Sequence, residues 1–465
     1  MTASNSTPFL WGTATSSYQI EGAVNEGNRG TSIWDTFART PGKVKNGETG
    51  DVAIDHFHRY KEDIALMADL GINSYRFSIA WPRLFPNSPD SLERQGVDFY
   101  NKIIDELIAN NIEPAITLYH WDLPQYLEDA GGWASRQTVH AFEKFAKTCA
   151  EEFGDRVTNW ITLNEPWCTT FLGYYLGVHA PGVRNLEKTV AAAHHTALAH
   201  GLGTRAIRNV SPDSKIGLTV NMNNVRTDSD DAETKKTWDM VDANQNRWWI
   251  EAFLFGTYPE CLVEDYGSLL SQVVMPGDSQ ILKVDTDFLG VNYYSDGFIG
   301  KARPQDTPMD VHSPYPYKRT ANMEMPAEMF EGRTDFDWPI TPYGLGDLML
   351  RIHNDWPEIK SIFVTENGCA YPDGPDANGE INDHRRVDYL VKHIQSMQRA
   401  IREGAPVHGY FAWSLLDNYE WAEGYAKRFG IIYVDFETQK RTPKLSYYTY
   451  KKIISGELEG FTMGV

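Results

Sequence analysis

Short runs of apolar and β-branched residues recur along this chain, separated by longer stretches whose apolar residues return every three to four positions. The short runs are FLWGTATSSYQ from Phe9, SYRFSIAW from Ser74, EPAITLYHW from Glu113, TNWITLNEP from Thr158, KIGLTVNMN from Lys215, DFLGVNYYS from Asp287, SIFVTENG from Ser361 and GYFAWSLLD from Gly409. Each reads as a buried strand. Intervening segments such as RYKEDIALMADLGI and FYNKIIDELIANNI carry a one-sided apolar stripe and end in Gly or Asn, as helices do. Eight strand–helix alternations predict an α/β fold, a closed (β/α)8 TIM barrel. A minimal barrel needs ~250 residues. The surplus is therefore expected in long βα-loop insertions, chiefly the proline-punctuated stretch from Lys301 to Tyr343. No linker or low-complexity tract interrupts the pattern, so residues 1–465 are read as a single barrel domain.

The strand endings carry the chemistry. ITLNEP takes a buried run into Glu165 and then Pro166, which cannot donate to a strand ladder, so the glutamate falls at the strand's C-terminal end. SIFVTENG delivers Glu366 in the same way, before Asn367 and Gly368. In barrels of this kind the active site lies at the C-terminal ends of the strands. Taken together, those ends hold Gln19, Arg76, His120 with Trp121, Asn164 with Glu165, Asn221, Asn292 with Tyr294, Glu366, and Trp413. One such residue could be incidental; polar residues at seven ends and an indole at the eighth point to a site. Two carboxylates, amides, an imidazole and indoles suit a sugar. Hydroxyls take amide and carboxylate partners, the C–H face takes an aromatic platform, and acetal cleavage takes one acid and one carboxylate.

Composition narrows the partners. The net charge is −20 with a pI near 5.1, which argues against nucleic acid or an anionic membrane surface and favours a small neutral substrate. Hydrophobic residues make up 42%, and 14 Trp, 24 Tyr and 21 Phe leave rings over to line a pocket. Cys149, Cys168, Cys261 and Cys369 are scattered without a CxxC, so neither a disulfide framework nor a zinc cluster is indicated. The N-terminal MTASNSTPFLWG has no positive n-region or apolar h-region, and a cytoplasmic location is expected.

Weaker signals dissolve. HFH at 56–58 has metal-ligand spacing but opens a helix, so no metal is expected. GLGTRA at 201–206 imitates part of a dinucleotide fingerprint, yet follows a helix with no strand leading in, so no cofactor is expected. His194, His195 and His200 lack a helical metal pair's spacing and are read as core and capping residues. No strand end carries a lysine, which argues against a Schiff-base aldolase.

With these residues in view, the chain resembles the glycoside hydrolase family 1 β-glucosidases over essentially its whole length. The resemblance rests on FLWGTATSSYQIEGA, SIWDTF, YRFSIAW, YHWDLP, TLNEP, GVHAPG, NYYS, TENG and WSLLDNYEWAEGYAKRFG in that order. It implies that Glu165 is the general acid/base, Glu366 the nucleophile, and that hydrolysis retains the anomeric configuration, for which the carboxyls stand ~5 Å apart. It also implies that Arg76 and Tyr294 support the nucleophile. Gln19, His120, Asn164, Asn292, Glu420 and Trp421 would bind the nonreducing sugar, with Trp413 as its stacking floor and Trp121 as structural support beside them. Trp167, Asn221 and Trp338 would line the aglycone rim. Glucosides are the expected substrates, with side activity on β-galactosides or β-fucosides. A 6-phospho-β-glycosidase is the alternative; Glu420 speaks against it, because a carboxylate would repel a phosphate. A thioglucosidase would lack Glu165, and a non-catalytic sugar-binding barrel would have lost one carboxylate; both are present.

Overall fold

The computed structural model describes residues 8–301, 323–458 and 461. Eight parallel strands close a barrel: β1 (Leu10–Ala14), β2 (Ser74–Ser78), β3 (Glu113–Tyr119), β4 (Asn159–Asn164), β5 (Lys215–Asn221), β6 (Phe288–Asn292), β7 (Ile362–Asn367) and β8 (Val407–Trp413). Neighbours in the circle are neighbours in sequence, and β1 closes it by pairing with β8 from Leu10 against Gly409 to Ala14 against Trp413. All eight lie where the apolar runs predict strands. Each is followed by a helix on the outside: α1 (His56–Leu70), α2 (Arg94–Ala109), α3 (Arg136–Phe153), α4 (Leu186–Val210), α5 (Trp248–Phe255), α6 (Pro342–Asp355), α7 (His384–Arg402) and α8 (Leu445–Ile454). In α2, Val97, Tyr100, Ile103, Ile104 and Leu107 are buried on one stripe, the helical period the sequence shows.

The strand period of two sorts side chains into two cores. Leu10, Ala14, Ala115, Ile161, Phe288, Phe363 and Phe411 fill the barrel interior. Trp11, Tyr75, Phe77, Ile116, Trp160, Val364 and Tyr410 face outward and pack beneath the helices. Arg76, between outward-facing Tyr75 and Phe77, therefore points inside and is wholly buried. Strict alternation fails at three strands: β8 shifts against β7 between Val407 and Gly409, far from the C-terminal ends, and two further shifts lie nearer to them. The pairing of β7 shifts register against both neighbours beyond Val364, and β4 shifts against β5 between Ile161 and Asn164. Such bulges re-aim side chains near barrel rims. They let Thr365 and Glu366 both make contacts inside the barrel, and they send Leu163 to the outer core while Asn164 turns inward.

The expected insertion from Lys301 to Tyr343 falls partly on residues 302–322, outside the described residues; the described part carries Phe336 and Trp338 to the barrel mouth. GLGTRA lies inside α4 rather than after a helix, where a side chain at Gly201 would strike the Ile281 carbonyl, so that glycine serves close packing. His56 pairs with Asp63 while His58 pairs with Asp55 and Glu26, so the two imidazoles of HFH face different partners. His194 bonds Tyr258 and Asp278, His195 the Trp133 carbonyl, and His200 Thr162, all within the buried body of α4. The four cysteines are free thiols. No helix among the described residues is long and apolar enough to cross a membrane.

Candidate active site

A cavity of about 510 Å³ opens at the C-terminal ends of the strands. Glu165 and Glu366 line it together with His120, Trp121, Asn164, Asn292, Tyr294, Trp413, Glu420 and Trp421. Glu165 follows the last residue of β4 in a left-handed conformation, φ 47°, and Pro166 heads the helical turn behind it. Trp121 (φ 80°) and Trp421 (φ 45°) share this uncommon backbone state, so three residues of the wall are held in conformations that non-glycine residues seldom adopt.

The two carboxyls differ in their partners. Arg76 donates from Nη1 to Glu366 Oε1 (2.7 Å), and the Tyr294 hydroxyl donates to Oε2 (2.6 Å). Arg76 also donates to Asn164 Oδ1 (2.6 Å) and to the Thr365 carbonyl, which fixes the guanidinium across the barrel. Glu165 has no cationic partner among the described residues; it accepts from Asn292 Nδ2 (2.7 Å) and from the Cys168 thiol. Burial raises the pKa of both carboxyls. Arg76, Tyr294 and Asn292 offset part of that rise at Glu366, whereas burial and the neighbouring Glu366 charge push Glu165 up to about 7. The arrangement favours one charged and one protonated carboxyl near neutral pH. Burial and the Glu366 charge likewise hold the Tyr294 hydroxyl well above its ordinary pKa, so it remains a donor.

His120 accepts the Asn164 side-chain N–H at Nε2 (3.0 Å), which leaves Nδ1 carrying the proton, buried and without a partner among the described residues. Burial and Arg76 hold the ring neutral, well below its usual pKa. Trp413 lies roughly parallel to that ring, 5.9 Å away, and Trp421 packs against Trp121 at 4.5 Å. The Trp121 indole donates to the Asn164 carbonyl. Burial, then Glu366 and Glu165, push Glu420 up to about 8.

Gln19 and Arg76 stand behind the wall instead of lining it. The Gln19 amide donates to the Tyr419 carbonyl (2.8 Å) and Glu420 (3.3 Å) and accepts from Ser16, so its contacts within the protein tie down the segment that carries Glu420. At the mouth, Trp167 stacks on Phe171 on one side, and Trp338 packs on Phe336 and Tyr294 on the other. Asn221 leaves its Oδ1 buried without a partner among the described residues. Sequence reasoning passed over His179, Asn223, Gln245, Phe336 and Phe429, which also line the cavity. His179 sits in the quoted GVHAPG, and Asn223 comes two residues after the end of β5, a position the strand-end rule reaches. Cys168 also lines the cavity as a buried thiol, held protonated by burial and by Glu165.

The barrel, the carboxyl pair and the indole-lined cavity define an enzyme of the sugar-cleaving class, and comparison with known proteins makes the assignment definite. The model of Glycosyl hydrolase family 1 matches residues 2–458, and the chain belongs to that family. It is 42% identical to beta-glucosidase A of Acetivibrio thermocellus over 96% of this chain and 97% of that one. It is 41% identical to a bifunctional beta-D-glucosidase/beta-D-fucosidase of Bifidobacterium breve over 96% and 97%. The solved beta-glucosidase of Thermotoga maritima in complex with azafagomine superposes with a TM-score of 0.90 at 40% identity, covering 98% of this chain and 99% of that one.

Proposed function

We propose that the protein is a retaining β-glucosidase, a single catalytic barrel domain that releases terminal β-D-glucosyl residues from cello-oligosaccharides and aryl or alkyl β-glucosides. The observation that carries this reading is the unequal support of the two carboxyls: Glu366 receives Arg76 and Tyr294, while Glu165 is pushed up to about 7. Glu366, ionised, attacks the anomeric carbon. Glu165 protonates the departing oxygen, and the aglycone leaves. The glycosyl ester on Glu366 has no charge, so of the two causes that raise the pKa of Glu165, burial remains and the neighbouring charge disappears; the pKa falls and the same carboxylate becomes the base for the incoming water.

His120 Nδ1–H, Asn164 and Glu420 serve the sugar hydroxyls, and Trp413 is its platform. Gln19 acts by holding Glu420. Trp167, Asn221 and Trp338 take the aglycone. No Lys or Arg lines the cavity among the described residues, and Glu420 faces it, which disfavours a 6-phosphate. Activity on β-fucosides accompanies it in this reading, which the name of the Bifidobacterium relative supports.

The test is the configuration of the products. Proton NMR of 4-nitrophenyl β-glucoside hydrolysis should show β-glucose first. Glu165→Ala should lose about 10²- to 10⁴-fold on poor leaving groups and regain turnover with azide as the β-glycosyl azide. Glu366→Ala with azide should give the α-azide. Exchanged configurations would reverse the two roles, and α-glucose from the wild type would overturn retention.

A further inference from the structure

Glu420 rides on a tight turn whose shape depends on a residue outside the cavity. At its near end, Gln19 and Tyr419 exchange backbone and side-chain hydrogen bonds. The turn then closes on itself: the Glu420 amide donates to the Gly424 carbonyl (2.6 Å) and the Glu423 amide to the Glu420 carbonyl (2.8 Å). Trp421 and Gly424 both have positive φ, and Gly424, at φ 59° and ψ −129°, occupies a region that essentially only glycine enters. The far end is held by the strap Lys45–Thr49. Glu48 Oε2 accepts the Tyr425 amide at 2.6 Å, and its backbone carbonyl accepts the Tyr419 hydroxyl at 3.2 Å. The Tyr425 hydroxyl donates to the Thr49 carbonyl (2.9 Å), and Lys45 pairs with Glu423 (3.2 Å). The carboxylate sits so close that a Cβ on Gly424 would lie 2.1 Å from Glu48 Oε2.

We propose that Glu48 is a positioning residue for sugar specificity: it fixes the Tyr419–Tyr425 turn and thereby sets how far Glu420 reaches toward the outer hydroxyls of the sugar. The Tyr425 amide is the exit of the turn, and a charge-assisted acceptor there is stronger than a neutral one. Glu48 acts on the same carboxyl as Gln19 does, from the opposite end of the turn. A loosened turn leaves Glu165 and Glu366 in place, because neither is attached to it; what is lost is contact at the sugar's far edge. The inference rests on the sugar-binding role proposed for Glu420.

The experiment compares 4-nitrophenyl β-D-glucoside with 4-nitrophenyl β-D-xyloside, which lacks the C6 hydroxymethyl group. Glu48→Ala should lower kcat/KM about tenfold on the glucoside, chiefly through KM, and about twofold or less on the xyloside. The preference for the glucoside then shrinks roughly fivefold. Glu48→Gln keeps an oxygen for the Tyr425 amide and should restore the preference to within about twofold of wild type. Equal losses on both sugars, or no loss on either, would overturn the proposal. Should Glu48→Ala not accumulate as folded protein, Tyr425→Phe removes only the Thr49 tether and should shift the preference in the same direction by a smaller factor; an unchanged preference overturns it. A wild type inactive on both glycosides would instead refute the parent reading.

Discussion

Three carboxyls, Glu165, Glu366 and Glu420, meet at one cavity with Arg76 as the cation bound to Glu366, and their charges are interdependent. Because Glu165 must carry a proton to act as an acid and is pushed to about 7, kcat/KM should fall as pH rises through about 7. The cause can be isolated. Glu366→Gln removes the neighbouring charge and should lower the Glu165 pKa by about one unit or more, readable by carbon-13 NMR titration of the labelled carboxyl. An unchanged Glu165 titration would leave burial as the whole explanation. The residue scale also shows what sequence alone leaves out at Gln19: its place after β1 marks it as a strand-end residue, while the acceptors of its amide, Glu420 among them, are supplied some four hundred residues later.

At the level of strands and turns, the segment TENG depends on contact with the end of β8. A Cβ at Gly368 would lie 1.7 Å from the Trp413 carbonyl, so no side chain fits between β7 and the residue proposed as the sugar platform. Gly368→Ala should destabilise the protein by about 1–3 kcal/mol or more and raise KM by moving Trp413, as thermal unfolding and steady-state kinetics would report. All eight strands were legible because each must satisfy an apolar interior and an apolar exterior, which leaves a nearly continuous hydrophobic run. The bulges in β4 and β7 were not. A bulge is a relation between a strand and its neighbours, and strict alternation from Phe363 would have turned Glu366 away from the barrel interior. The strap at Glu48 was hidden for the same reason, since its partners lie beyond residue 418. Glu165, Glu366 and the polar residues around them were visible because a charge at the end of an apolar run has no structural explanation within its own strand.

For the molecule as a whole, buried carboxyls tie stability to pH. Glu165 and Asp122 are raised to about 7 and Glu420 to about 8, in each case chiefly by burial, against values near ~4 in an unfolded chain. A raised carboxyl pKa means that the fold favours the protonated form. The resulting stability is complete below about pH 4 for these groups, declines as the unfolded chain ionises, and is gone once pH passes about 8. Buried His179, His195, His200 and His393, held down to about 3 to 4 chiefly by burial, act with the opposite sign below about pH 6.5, so the carboxyls are read by difference: the melting temperature of Glu165→Gln combined with Glu420→Gln, relative to wild type, should rise from about pH 5 to about pH 8, and a constant difference would contradict it. The pairing of β1 with β8 carries a different consequence, for the chain as it is being made. Parallel partners nearly four hundred residues apart cannot meet until the later one exists. At ~5–20 residues per second, the first strand waits roughly 20–80 s after its own synthesis for its second neighbour. Until Trp413 has left the ribosome, the nascent sheet is an open arc with two bare edges, a form that invites capture by chaperones or by another growing chain.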